Sequence, residues 1–399
     1  VTAPAPEAEK RSERFALDGY RAVAAVAVLT FHAYQYNRLR YWPLEGTVWH
    51  DLMLYSDLAV DMFFVLSGLL LGLPFARAAL GKGSPRSAKM FVLRRLARLL
   101  PLYLTVVLLV WSITNPEFPG DVRDLVLHLT FTHVYSDDRI FYTNGPAWTL
   151  ACEMHFFVLL ALLGTLAQRC VPRIRSTGAR YAVLVAGVLA LMLLSIGYRV
   201  WAAYVVALPH DAWSAWFNPL AKLDVFALGL LLAIVAARGF KIRASLGRVA
   251  LVAAAGGFVY LSVLVHADGD QVSVTQHTFA GAACTFLLAS STLAPRQPRW
   301  LGSRPMVFMG TISYGIYLWQ EPVQRVLADN GLLPPRQGGP AFLIAAAIVF
   351  VVTLAVAWLS YHVIERTGLR FLASVDGSGR SRDYYPEPGP PPQPLLVDR

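Results

Sequence analysis

Apolar runs of about twenty residues, separated by short polar stretches, recur from residue 15 almost to residue 366 of this chain. A helix rises about 1.5 Å per residue, so a run of about 20 apolar residues crosses a bilayer core of about 30 Å. Ten runs stand out, at residues 15–36, 52–76, 97–114, 147–168, 181–201, 218–237, 248–266, 276–294, 306–328 and 341–364. The pattern predicts an all-α polytopic membrane protein of ten transmembrane helices. The first run follows Lys10, Arg11 and Arg14, as in a signal peptide, but it is too long and lacks a clear cleavage site. It is read as a retained span. Residues 1–14 then form a basic arm, 15–366 one membrane domain, and 367–399 a tail that ends proline-rich and is expected to be disordered. No internal repeat is visible.

Charge sets the expected orientation. With the N-terminus inside, 26 of the 35 Lys and Arg residues fall on the cytoplasmic side and eight outside; the remaining one, Arg21, lies within the first run. That bias places both termini in the cytoplasm and the protein in the cell membrane. It also explains the net charge of +10, so no nucleic-acid partner is inferred. Composition agrees: 56% of residues are hydrophobic, 15% are charged and mean hydropathy is +0.49. Cys152, Cys170 and Cys284 lie far apart with no metal-ligand spacing, so neither a disulfide framework nor a metal site is expected. The long external segment, Asn115 to Asn144, carries Asp121, Asp124, Asp137 and Asp138, and predicts a short surface helix near Asp124–His133.

Ionisable groups at membrane depth are costly and mark function more often than surface charges do. Arg21 and His32 are eleven residues apart, which puts them within about 20° on one helix face and about 16 Å apart along the axis. Glu153 lies about two turns into the fourth run, at a depth similar to that of His32. A carboxylate beside an imidazole fixes its tautomer and raises its basicity, as a general base requires. The plainer readings are a snorkelling Arg21, an interhelical histidine at His32 and a structural ion pair at Glu153. Asp61, in the outer half of the second run, is a further candidate for the cluster; His155 is read as structural. Arg94, Arg95 and Arg98 form a ridge at the mouth of the third run, ahead of Pro101 and Tyr103. Such a ridge suits phosphate capture, although the inside bias alone also yields basic clusters. Together these groups suggest a path from a phosphate-bearing donor at the arginines to an acceptor near His32.

Six segments, in order, resemble the acyltransferase-3 family of integral membrane O-acyltransferases over about Leu17 to Arg366. These are LDGYRAVAAVAVLTFH, DMFFVLSG (Asp61 to Gly68), RRLARLLPLY, PAWTLACE (Pro146 to Glu153), KLDVFALG (Lys222 to Gly229) and ISYGIYLWQ (Ile312 to Gln320). Thr149 stands where serine is usual, and Gln320 where histidine is frequent. The resemblance implies a ten-helix enzyme that moves an acyl group, expected to be acetyl, from acyl-CoA to a hydroxyl of a sugar or glycosylated metabolite. It implies His32 as base, Glu153 as its partner, and Arg21, Arg94, Arg95, Arg98 and Tyr103 for the donor. Asp61, Ser67, Trp148, Tyr314, Tyr317 and Gln320 take supporting places. Acyl-CoA enters as co-substrate, with no permanently bound cofactor. Some members carry an extracellular hydrolase-like domain; without one, the chain is expected to finish the transfer itself or hand over to a separate protein. The rival reading is a transporter of a glycosylated compound, which predicts inverted repeats and paired broken spans. The polarity pattern shows neither.

Overall fold

The structure, a computed structural model, describes residues 6–36, 44–117, 119–243, 245–267, 272–294, 298–334, 338–368 and 370. Helix α1 (Pro6–Tyr36) is continuous, so residues 6–14 of the basic arm and the first span form one helix. The second run divides into α2 (Val48–Leu54), a 3-10 turn (Tyr55–Ala59) and α3 (Val60–Ala79). Helix α4 (Ala88–Thr114) starts nine residues before the predicted span, with Ser87 capping the Met90 N–H, so the arginine ridge is already helical. Helix α5 (Val122–Leu129) and a 3-10 turn (His133–Tyr135) make up the external segment. Helices α6 (Ala147–Cys170) and α7 (Thr177–Val200) follow, α7 running into a π-turn (Trp201–Val205). Then come α8 (Trp213–Trp216), α9 (Leu223–Arg238), α10 (Leu246–Ala267) and α11 (Val272–Thr292). Helices α12 (Arg304–Thr311), α13 (Ser313–Asp329) and α14 (Gly338–Ser360) complete the bundle, α14 ending in a π-turn (Tyr361–Glu365).

The architecture is all-α, with no strand among the described residues, and every predicted apolar run falls on helix. Among the described residues, five segments are long and apolar enough to cross a membrane by length and composition: Val48–Ala79, Ala88–Thr114, Ala147–Arg173, Thr177–Val205 and Ala341–Gly368. The proline-rich tail, and the segment holding Arg38 and Arg40, lie outside the described residues.

Two differences from the polarity pattern are structural. The second and ninth runs are broken helices. In the ninth, Ser313 Oγ donates to the Gly310 carbonyl at 2.9 Å, a local bond that competes with the helical ladder. Gly310 also lies so close to Asp18 of α1 that a β-carbon would overlap its carbonyl oxygen. The second difference concerns α5, whose Asp124 and His128 are fully buried although a surface helix was expected. The Tyr103 hydroxyl, rising from α4, donates to the His128 carbonyl at 2.8 Å and draws α5 onto the bundle.

Helix α3 is the central post. It packs most extensively on α9 and also touches α6, α11 and α1. At the α3–α9 crossing a β-carbon on Gly68 would overlap the Phe226 carbonyl, and one on Gly229 the Val65 carbonyl. Two glycines thus let the backbones meet, as small residues do between membrane helices. Helix α1 lies against α12, α13 and α14. The candidate chemistry is therefore held between α1, α3, α4, α6 and α13.

Candidate active site

Glu153 is set by the start of α6, where Pro146 begins the helix and directs the second turn toward α3. Ser67 Oγ donates to Glu153 Oε1 at 2.8 Å. The cationic charges that reach this carboxylate are Arg21 on α1 and Arg95 and Arg98 on α4. Arg21 is also paired with Asp18, Nη1 to Oδ1, at 3.2 Å. Three of the four arginines expected for the donor thus reach one partly buried carboxylate electrostatically. Arg98 also lies in the field of Glu365, a buried residue of the final π-turn. The Tyr314 hydroxyl donates to the Leu99 carbonyl at 2.7 Å, fastening α13 to α4 beside these groups. The Tyr103 hydroxyl is committed to the external segment, and its ring stacks on Phe131 with centroids 4.6 Å apart.

His32 belongs to a different neighbourhood. No hydrogen bond or ion pair joins its imidazole to the Glu153 carboxylate. The ring adjoins the Gln320 amide, and the carboxylate whose charge reaches it is Glu321, both on α13. Gln324 Nε2 donates to the His32 carbonyl at 3.2 Å. Tyr317, one turn before Gln320, lies between the two neighbourhoods: the charges of both Glu153 and Glu321 reach it. Its own carbonyl accepts the Gln320 amide at 3.1 Å, and its ring meets Phe63 edge to face. Equal depth in the sequence therefore did not mean contact. Glu153 turns toward α3 and the arginines, and His32 toward α13.

Asp61 is drawn into a third cluster. It is fully buried and accepts from, or pairs with, His277 Nδ1 at 3.0 Å. Lys222 lies in the field of Asp61 and Asp224, its Nζ 4.4 Å from the Phe217 ring centroid and 5.8 Å from that of Trp148. Trp148 packs edge-on against Phe217 at 4.6 Å and Phe64 at 5.9 Å. Deeper in the cluster, Arg199 and Asp224, both fully buried, meet at 2.6 Å, with Thr278 and Ser195 bonded to the same carboxylate. Sequence reasoning passed over His277, Lys222, Asp224 and Arg199, and also Glu321, Gln324 and Glu365. Only Asp224 and Lys222 lay inside a motif already singled out.

The helical bundle thus brings together arginines whose charges reach the Glu153 carboxylate and, on the neighbouring helices, the His32 imidazole beside Gln320. The chain belongs to the acyltransferase-3 family, whose acyltransferase domain matches residues 14–362, and it is a membrane O-acyltransferase. Among its relatives is a putative membrane-bound transacylase, BcsY, of Komagataeibacter xylinus, 28% identical over 93% of this chain and 87% of that protein. The acyltransferase MdmB of Streptomyces mycarofaciens is 26% identical over 94% of this chain and 95% of its own length. The O-acetyltransferase OatA of Staphylococcus aureus is 26% identical over 88% of this chain, which covers 56% of OatA. No solved structure matches.

Proposed function

We propose that the protein transfers an acyl group, acetyl in the simplest case, from acyl-CoA to a hydroxyl of a sugar or glycosylated metabolite across the cytoplasmic membrane. The observation that carries this reading is the division of polar groups between two linked neighbourhoods. The charges of Arg21, Arg95 and Arg98 reach Glu153, His32 adjoins Gln320 within the field of Glu321, and the charges of both carboxylates reach Tyr317. Arginines hold phosphate through paired N–H donors, which suits the nucleotide end of coenzyme A. Arg94 extends the same ridge.

In this mechanism His32 takes the proton from the acceptor hydroxyl and the resulting oxyanion attacks the thioester carbonyl. The carbon–sulfur bond breaks, the coenzyme A thiolate leaves toward the arginines, and the proton held on His32 passes to the thiolate sulfur, which regenerates the base. Glu153, held by Ser67, supports the step from the donor side by fixing the arginines, with no direct bond to His32. Ser67 and Tyr314 stiffen the donor site, Tyr317 and Gln320 separate and orient the two halves, and Asp61 and Trp148 hold the wall behind them. The basic bias of 26 residues to eight favours a donor entering from the cytoplasm.

The test pairs two measurements. Purified protein with acetyl-CoA and a hydroxylated glycoside should release free thiol. Mass spectrometry of glycosylated products should show an acyl mass gain that disappears when the gene is removed. Flux of a glycoside into vesicles with no consumption of acyl-CoA would instead establish the transporter reading and overturn this one.

A further inference from the structure

Around His32 the structure leaves an unusual set of polar atoms without well-formed partners. His32 Nδ1, Gln320 Oε1, Glu321 Oε2 and Gln324 Oε1 are all buried and make no well-formed hydrogen bond, the Gln320 side chain reaching the His32 ring only as a weak partner. Gln320 is 1% exposed and Gln324 3%. Leaving a buried polar atom unpaired is costly, so the cluster calls for an occupant. The placement is coherent. Gln320 and Gln324 are four residues apart, which puts them on one face of α13 with their β-carbons about 5–6 Å apart. That face is turned to α1, since Gln324 bonds the His32 carbonyl and Gln320 adjoins the His32 ring. Glu321 lies beside it, ion-paired with Arg325, and Arg325 in turn donates to the Thr143 carbonyl at 3.2 Å. The segment before α6 thereby closes over the outer end of the cluster.

Chemistry narrows the occupant. Three of the four atoms, the two amide oxygens and the carboxylate oxygen, can only accept hydrogen bonds. They call for a ligand that presents several donors within the span of two helical turns. A sugar ring with neighbouring free hydroxyls does this, whereas a lone alcohol or an acyl chain does not. The amide N–H groups are already used, Gln320 on the Tyr317 carbonyl and Gln324 on the His32 carbonyl, so the oxygens are held facing away from those bonds.

We propose that Gln320, Gln324 and Glu321 form the acceptor subsite, binding a polyhydroxylated ring by its hydroxyl donors and presenting one hydroxyl to His32. This rests on the reading of the protein as a hydroxyl acyltransferase and adds which residues select the acceptor and what chemical class they select. It also gives Gln320 a role. An amide oxygen there accepts a hydrogen bond from a hydroxyl at any pH, whereas a histidine would exchange that acceptor for a donor on protonation.

The experiment uses the full chain in lipid nanodiscs and follows thermal unfolding by tryptophan fluorescence. The probes are the methyl glycosides of glucose, galactose, mannose and rhamnose, each compared with its fully O-methylated form. A ligand that binds only the folded protein raises the melting temperature. At least one free glycoside should raise it, its O-methylated form should not, and Gln320→Met and Gln324→Met should each abolish the rise. Either variant suffices if the other does not fold, and Gln320→Glu, which keeps an acceptor oxygen, should retain it. The proposal is overturned if no free glycoside raises the melting temperature, as when water alone fills the cluster. It is equally overturned if the O-methylated forms act as well, or if the rise survives in the methionine variants. Thiol release from acetyl-CoA is measured separately in the same preparations. Its absence would end the acyl-transfer reading without touching the binding result, so the two failures remain distinct.

Discussion

Replacing Asp224 by asparagine removes the negative charge from a fully buried ion pair while nearly keeping its shape. Arg199 and Asp224 are both 0% exposed and meet at 2.6 Å, and the same carboxylate holds Thr278 and Ser195. Lys222 lies in the field of Asp61 as well as Asp224, so the variant leaves Arg199 facing a neutral amide while Lys222 keeps its Asp61 neighbour. A polar side-chain interaction within a membrane bundle is worth on average only about 0.6 kcal/mol, which would make the change nearly silent. An unpaired charge is another matter. Placing a cation at the centre of a membrane helix costs about 2.5–3.5 kcal/mol on insertion scales, and breaking a buried pair in a folded protein costs about 3–5 kcal/mol. The charge effect should dominate, and Asp224→Asn should destabilise the protein by about 3–5 kcal/mol. The assay is reversible unfolding in mixed micelles of dodecyl maltoside and dodecyl sulfate, read by tryptophan fluorescence. Adding Arg199→Met to the variant removes the stranded guanidinium and should recover at least half of the loss. A single variant within about 1 kcal/mol of the parent, or a double variant no better than the single, would refute the assignment of the loss to an uncompensated charge.

Further outcomes follow from the same geometry. Ser67→Ala removes a bond to the Glu153 carboxylate worth about 1.5–3 kcal/mol, so the KM for acyl-CoA should rise about tenfold or more while the acceptor KM stays put; equal changes in both would contradict a donor-side Glu153. Gly229→Ala drives a β-carbon into the Val65 carbonyl and should lower stability by at least the 1–3 kcal/mol or so typical of overpacking, whereas Gly187→Ala, which enters open space on α7, should not; similar melting temperatures for the two would count against the α3–α9 contact. In the external segment, burial and then the neighbouring His128 push the His133 imidazole down to about 3. Its folded value thus lies below the unfolded one of about 6.5, so stability is full above that pH and is lost as pH falls toward 3, by up to about 1.4 kcal/mol per unit. His133→Leu should flatten the fall in melting temperature between pH 7 and pH 5, and an unchanged slope would remove His133 as its source.

Much of the architecture was legible because bilayer thickness imposes a length on apolar runs. Each of the ten runs falls on helix, and the arginine ridge and the Glu153 segment were visible as polar breaks in apolar sequence. What remained hidden depends on direction around the helix axis. Counting residues placed Glu153 and His32 at similar depth, but depth says nothing about azimuth, and packing on α3 turns Glu153 toward Ser67. Asp61 finds His277, 216 residues away, only because α11 packs against α3. Glu321 and Gln324 looked like ordinary polar residues at the outer end of a span; their weight comes from the α1–α13 contact that buries them beside His32. The broken ninth run was invisible because Gly310 and Ser313 read as small residues in an apolar stretch, while their effect requires the backbone of α1 alongside.

The central claim is that His32 takes the acceptor's proton while the donor is held by the arginines around Glu153. The most direct measurement is transfer of radiolabelled acetyl from acetyl-CoA to a glycoside by the purified parent and by His32→Ala, with the melting temperature of each as the control for folding. General-base assistance is worth about 10²–10⁴-fold, so the folded variant should lose at least 100-fold in kcat with little change in the KM for acetyl-CoA. A folded His32→Ala protein that transfers acetyl at the parent's rate would contradict the account.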